Sequence, residues 1–264
     1  MISFNERTMP RRNQLLTVIY ALAVASFTLI TSCSKNDTVT PEEPPVAEDT
    51  TYYRVYRVEN LYAPVDDANP TAAPPVFFFN LSTRKHVQAD YAKTTDWDVA
   101  FGSLYNSILS GNNGLNSGNY GAGAAGIGGI CILEKHFDEV TDIPAETAFS
   151  TQKDIVGLDA AGAFGTGTGW YMYDFGGTIA GDGSYEKQHV AYALGEGLTL
   201  SNGSELAPRT IVVRTAKGDF AKIKMISVYE NAYTPDQWFR ETPHMYFTFE
   251  YVLVPKGSTK FEIK

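Results

Sequence analysis

The sequence is poor in cysteine, in histidine and in patterns that favour helices. It holds two cysteines and four histidines among 264 residues. Two cysteines build neither a disulfide framework nor a Cys-rich metal centre. One of them, Cys33, follows a short apolar run, and the other, Cys131, lies in the apolar stretch Gly-Ile-Cys-Ile-Leu and reads as a buried core thiol. There is no G-x-S-x-G, no H-E-x-x-H and no evident Cys–His pair, which removes the common hydrolase chemistries. Asp96 and Asp98 share one strand face, whereas glycosidase carboxylates flank a bond from opposite sides. The sequence therefore reads as a binding protein and not as an enzyme.

Positive charge is also scarce. Lys and Arg number 21 against 30 Asp and Glu, for a net charge of −9. The first 32 residues carry three Arg and one Glu, so the chain beyond them stands at −11. A surface that acidic argues against nucleic acid or anionic lipid as a partner.

Long hydrophobic runs are missing as well. A membrane-spanning helix needs roughly 20 apolar residues. The run from Leu15 to Ile30 has 16 and follows Arg7, Arg11 and Arg12, as in a signal peptide. The segment Leu29-Ile30-Thr31-Ser32-Cys33 resembles a bacterial lipobox, in which Cys33 receives the lipid. Met9 is an alternative start to Met1. Residues 34–50 contain three prolines, several acids and no aromatic residue, the composition of a flexible tether. Ser34 and Asp37 after the cysteine suit an outer-membrane lipoprotein facing the cell exterior. The expected organisation is a signal peptide at 1–32, a lipidated cysteine and tether at 33–50, and one domain at 51–264.

What remains is β-rich. Aromatic residues make up 13% of the chain, with 16 Tyr and 15 Phe. Tyr53–Glu59, Val76–Phe79, His86-Val87, Asp96–Phe101, Leu104–Leu109 and Ile130–Leu133 read as strands. In DWDVAF, period-two alternation predicts a half-buried strand with Trp97, Val99 and Phe101 on one side. Thr210–Thr215 and Phe220–Tyr229 form a hairpin around Ala216-Lys217-Gly218-Asp219, and Met245–Val254 is a closing strand. Short helical turns are expected only near Pro144–Phe149 and Asp236–Glu241. The domain is expected to be all-β and mainly antiparallel.

Residues 121–129, GAGAAGIGG, contain the dinucleotide pattern G-x-G-x-x-G. A loop precedes it and a strand follows it, so no helix N-terminus is available for a phosphate. The segment from Gly111 to Gly129 is expected to be a long mobile loop whose glycines admit a flat ligand.

The order of these motifs resembles the HmuY family of haem-binding surface lipoproteins of Bacteroidetes. The resemblance rests on the leader and acidic tether, Trp97-Asp98-Val99-Ala100-Phe101, and the Gly-rich segment. Beyond these come Glu134–Val140, Gly169-Trp170-Tyr171-Met172-Tyr173, His189-Val190, Val212–Lys224 and the aromatic strand Tyr246–Tyr251. It implies an all-β HmuY-like fold, haem as ligand, a lipid anchor in the outer membrane, and delivery to a TonB-dependent transporter. A homo-oligomer is compatible with it. The family pattern places an iron-holding His or Met at W-D-x-A-x-[H/M], and here that position is Gly102, which offers no donor. A second ligand lies beyond the Gly-rich loop, where no residue matches.

Haem iron takes imidazole nitrogen or thioether sulfur. Elimination leaves Met172 as the expected iron ligand, with either His136 or no second protein ligand, and with Trp170, Tyr171 and Tyr173 enclosing the porphyrin. His189 stands beside them as a candidate, although the His-Val pattern suits a structural hydrogen bond. Met225 reads as core, and the absence of C-x-x-C-H excludes covalent haem attachment. The alternative is a module on the same fold that binds a glycan or a partner protein through its aromatic side chains.

Overall fold

The computed structural model describes residues 51–264. The leader, Cys33 and the tether lie outside the described residues. Thirteen strands and six three-residue 3-10 turns occur in this region, and no α-helix occurs among the described residues. All strand pairings within the sheets are antiparallel, as the sequence led us to expect.

A five-stranded sheet runs in the order β1 (Val55–Tyr62), β13 (His244–Val254), β12 (Phe220–Tyr229), β11 (Thr210–Arg214), β6 (Gly129–Leu133). A four-stranded sheet follows the order β3 (Lys85–Val87), β2 (Phe77–Asn80), β4 (Val99–Gly102), β5 (Ile108–Gly111). Two small hairpin sheets complete the set: β7 (Tyr171–Asp174) with β8 (Val190–Ala193), and β9 (Leu198–Thr199) with β10 (Glu205–Leu206).

The β11–β12 hairpin shows how local sequence sets register. Gly218 takes φ +96°, a left-handed conformation that suits glycine, and Thr215 N–H donates to the Asp219 carbonyl at 2.8 Å. The register that follows pairs Ile211 with Ile223 and points Ile223 and Met225 inward, where both are buried. They meet Phe79 and Phe101 from the four-stranded sheet in the main core. Rings cross between the sheets, with Phe79–Phe249 centroids at 5.7 Å and Phe101–Phe247 at 4.6 Å. Burying each such side chain contributes about 1.5–3 kcal/mol. Tyr171, Trp170 and Met172 bring β7 into the same core, and Tyr229 Oη accepts from Ala191 N at 2.8 Å to tie β8 to β12.

The five-stranded sheet is covered on its other face too. Cys131, Phe137, Val212, Phe220, Val252 and Phe261 form a second apolar cluster there. Burial pushes the Cys131 thiol up to about 11, which fits the inert core thiol expected from its sequence. Lys222 enters this layer, and its ammonium donates to the carbonyls of Phe137 at 2.7 Å and Val140 at 3.1 Å.

Three expectations need correction. The DWDVAF strand is covered on both faces: Val99 and Phe101 join the main core, while Trp97 and Ala100 pack with Phe78 in a separate cluster. Alternation in the sequence does not reveal that a loop covers the second face. The stretch Leu104–Leu109 is divided, because Tyr105 and Asn106 take φ 56° and 50° in a turn before β5 begins. The Gly-rich segment is packed and internally bonded. Asn112, Asn113 and Asn119 are buried, Gly114 N donates to Gly126 O at 2.8 Å, and Asn113 Nδ2 donates to Gly128 O at 2.8 Å. Its glycines are needed for close approach: a Cβ on Gly121 would lie 2.2 Å from Asn112 Oδ1, and one on Gly128 would lie 2.4 Å from the Asn112 carbonyl.

Candidate functional site

The β7–β8 hairpin places one face of its far end towards solvent. Met172 and Asp174 are fully buried, Tyr171 is buried, and only Tyr173 is half-exposed. The sequence parity that separates Met172 from Tyr173 is correct, but the tyrosine side is the one that opens. Met172 is part of the main core, so its thioether is enclosed and does not line a pocket. Trp170 and Tyr171 are core residues as well: Trp170 Nε1 donates to Ser107 O at 2.7 Å, and Tyr171 Oη lies 2.9 Å from Ser107 Oγ. His136 is exposed at the start of the Phe137–Glu139 turn, where its N–H donates to Glu139 Oε2 at 3.1 Å. The structure does not gather Met172 and His136 into one accessible site.

It does gather His189 and Tyr173. Tyr173 Oη lies 2.8 Å from His189 Nδ1, and their rings are 6.2 Å apart. Phe175 packs edge-on against His189 at 4.7 Å, and Phe164 reaches both Phe175 at 5.6 Å and Tyr173 at 6.2 Å. Phe164 is 75% exposed and Phe175 50% exposed, so the cluster presents aromatic faces to solvent.

Two buried carboxylates hold the loops that carry these rings. Asp174 accepts backbone N–H groups from Thr178, Ile179, Ala180 and Gly181 at 2.9–3.3 Å, folding the segment between Phe175 and His189. Asp159 accepts Ala161 N and Gly169 N, and Arg209 pairs with it at 3.0 Å, closing the loop that carries Phe164. Phe164 sits at φ 69° and His189 at φ 59°. A bulky aromatic residue there is strained, at a cost of roughly 1–3 kcal/mol, whereas histidine is among the side chains that tolerate it.

A third loop extends the platform. Arg240 N donates to Glu186 O at 2.8 Å, and the Arg240 guanidinium lies 4.4 Å over the ring of Tyr185. Lys187 lies over Phe239 at 3.8 Å. Phe164, Phe175, Tyr185 and Phe239 are thus four of the twelve exposed large hydrophobic side chains among the described residues, and all belong to these three loops. Partial burial and the nearby positive charge of Arg240 both lower the His189 pKa, which keeps the imidazole neutral at neutral pH. Burial raises the Tyr173 hydroxyl, with Tyr105 adding to the effect and Arg240 opposing it.

A groove of about 610 Å³ opens elsewhere, along the Gly-rich segment. It is lined by Asn113, Asn116, Ser117, Thr151 and Arg214 together with exposed Leu115 and Ile127, and no aromatic ring borders it. For a flat apolar ligand the aromatic platform is the better match, although it is a surface and not a cavity. Nothing in the sequence marked Phe164, Phe175 or Arg240. They lie far apart in the chain, and only the loop geometry brings them together.

The model of the family described as HmuY protein matches residues 74–251, two thirds of the chain. The chain belongs to the HmuY family. The HmuY match runs from the segment before β2 into β13 and includes all three loops of the platform. Among solved structures, the chain is similar to the apo form of an HmuY analogue from Tannerella forsythia, at 12% identity and a TM-score of 0.33, covering 77% of this chain and 96% of that one. It is also similar to a candidate lipoprotein of Bacteroides fragilis, at 13% identity and a TM-score of 0.30, covering 77% and 91%. No curated protein matches.

Gly102, in the segment after Trp97-Asp98, is buried and its surroundings are filled. A Cβ there would lie 2.5 Å from Tyr120 Oη and 2.9 Å from Asp154 Oδ1. Tyr120 donates to Asp154 at 2.8 Å across this point. Burial and that hydrogen bond both push the phenol pKa upward and keep it protonated.

Proposed function

We propose that this HmuY-family protein is a surface lipoprotein that binds haem, or a related flat apolar ligand, for transfer to a TonB-dependent outer-membrane transporter. One observation carries the reading. Exposed Phe164 and Phe175, on two carboxylate-braced loops, lie beside the His189–Tyr173 pair, with Arg240 of a third loop supplying positive charge nearby. These residues fit a porphyrin: Phe164 and Phe175 offer apolar faces, and Arg240 suits its carboxylates. Haem brings an iron that takes an axial donor. The chain's own residues bind the disc and shield it, and no acid–base or nucleophilic step is assigned to them.

The test uses metal-free protoporphyrin IX, which isolates ring binding from iron ligation. Full-length chain should quench and shift porphyrin fluorescence saturably. Each stacked ring contributes roughly 0.5–1.5 kcal/mol beyond its burial, so Phe164→Gly and Phe175→Ser should each weaken binding by roughly 2- to 10-fold. Unchanged binding in both variants would move the site away from this platform and leave it to a glycan or partner protein.

A further inference from the structure

We infer that the groove along the Gly-rich segment is a second binding site, which takes a small sugar acid by its carboxylate at Arg214. It is independent of the aromatic platform and goes beyond the porphyrin reading.

At about 610 Å³ the groove has the size of a small-molecule site. Its charge runs against that of the chain. The sequence holds 30 acidic residues, yet none of the described ones lines the groove, and Arg214 is the one charged side chain in its wall. Arg214 ends β11, where it pairs with Gly129 of β6, and its guanidinium lies 5.4 Å over the buried ring of Phe149. A Cβ on Gly129 would lie 3.0 Å from Phe149 Cβ and 3.7 Å from Arg214 Nη2, so the glycine keeps this corner open for the guanidinium.

That guanidinium is only partly satisfied. Nη1 pairs with Glu146, whose own side chain is 69% exposed. Nε is buried with no hydrogen-bond partner, and Nη2 has no hydrogen bond or ion pair among the described residues. Partial burial lowers the Arg214 pKa, because it disfavours a charge that one exposed acid compensates incompletely. A ligand carboxylate on the groove side supplies the missing compensation, and its oxygens suit the planar donor fork.

The remaining wall selects the body of the ligand. Asn113 and Asn116 are committed to the fold: Asn113 Oδ1 accepts Leu115 N and Asn116 N at 3.0 Å, and Asn116 Nδ2 donates to Thr151 Oγ1 at 3.0 Å. Thr151 thereby keeps its own hydroxyl proton for a ligand oxygen, and exposed Ser117 adds a second hydroxyl. Exposed Leu115 and Ile127 offer aliphatic contact to C–H groups. With no aromatic ring on the groove, a flat apolar disc finds no stacking partner there. One carboxylate, several hydroxyls and a short C–H face together describe a hexuronic acid. The side-chain bonds that fix the wall reduce the ordering needed on binding.

The experiment is calorimetric titration of the full-length chain with glucuronate and, in parallel, with glucose and with acetate. Glucuronate should bind at least about 10-fold more tightly than either. Arg214→Gln should weaken glucuronate binding by about 10- to 100-fold, with circular dichroism to check that the variant is folded. Glu146→Gln tests the same point on an exposed residue: loss of the competing carboxylate should tighten binding by about 2- to 5-fold. Glu59→Gln makes the same change in net charge on β1, at the opposite edge of the five-stranded sheet from β6, and should leave binding unchanged. Added protoporphyrin IX should not displace glucuronate. Glucose binding as tightly as glucuronate would overturn the role of Arg214, and acetate doing so would overturn the sugar. Absence of glucuronate binding, or its displacement by protoporphyrin, would overturn the site as a whole. Failure of protoporphyrin to bind while glucuronate does would strike the platform reading alone.

Discussion

Tyr120 occupies the space that a side chain at position 102 would need: its hydroxyl lies 2.5 Å from where a Cβ on Gly102 would stand. The space beside Gly102 is thus filled, not empty. Gly102→Ala should destabilise the fold by about 1–3 kcal/mol through overpacking. Tyr120→Phe removes the clashing hydroxyl, so the double variant should recover part of that loss in a denaturant-based cycle. Additive effects would show that the two side chains do not compete.

Phe164 is held in a left-handed conformation at φ 69° with 75% of its surface exposed, which costs stability and gains no burial. Phe164→Gly should therefore leave thermal stability unchanged or raised, while porphyrin binding weakens. A marked fall in stability would instead make Phe164 a packing residue.

Asp98 Oδ2 accepts Leu81 N at 2.9 Å and Oδ1 accepts Ala216 N at 3.2 Å, yet burial pushes its carboxyl up to about 6. In the unfolded chain the same group titrates near 3.8. Between those values the folded protein binds more protons, so this group makes stability fall as pH rises from about 4 to 6, with its full cost, about 3 kcal/mol, present above that window. Asp98→Asn should remove this component from a stability–pH profile. An identical slope in the variant would refute the shift.

Cys33 is expected to carry the lipid, since residues 34–50 contain no other membrane-seeking segment. Cys33→Ala should move the protein into the soluble fraction on cell fractionation. Retention wholly with membranes would point to another anchor.

The strands that carried the clearest signal in the sequence were β11, β12 and β13. Their β-branched and aromatic residues alternate, and a glycine turn fixes the register between Ile211 and Ile223. The buried roles of Cys131 and Met225 were legible for the same reason, since each stands in an apolar run or stripe. The site was legible only in part. His189 and Tyr173, which the structure brings together, were within view; the complete burial of Met172 was not, because strand parity does not say which face a distant element covers. Phe164 and Phe175 were invisible, because an exposed ring in a Gly-rich loop has no periodicity to announce it. The Asp159 and Asp174 carboxylates that shape those loops act on backbone N–H groups up to ten residues away, which leaves no pattern in composition. The same limit applies to Asn112, Asn113 and Asn119, which turn an expected mobile loop into a packed one.

Hydrogen exchange of the full-length chain with and without haem tests the account most directly. Without ligand, the amides of Gly114, Gly123 and Gly128 should already be protected, because each is hydrogen-bonded within the Gly-rich segment. On adding haem, new protection should concentrate in residues 160–169 and 175–189, the loops bearing Phe164, Phe175 and His189. Protection gained only along the Gly111–Gly129 groove, with those two loops unchanged, would contradict the assignment of the aromatic platform as the binding site.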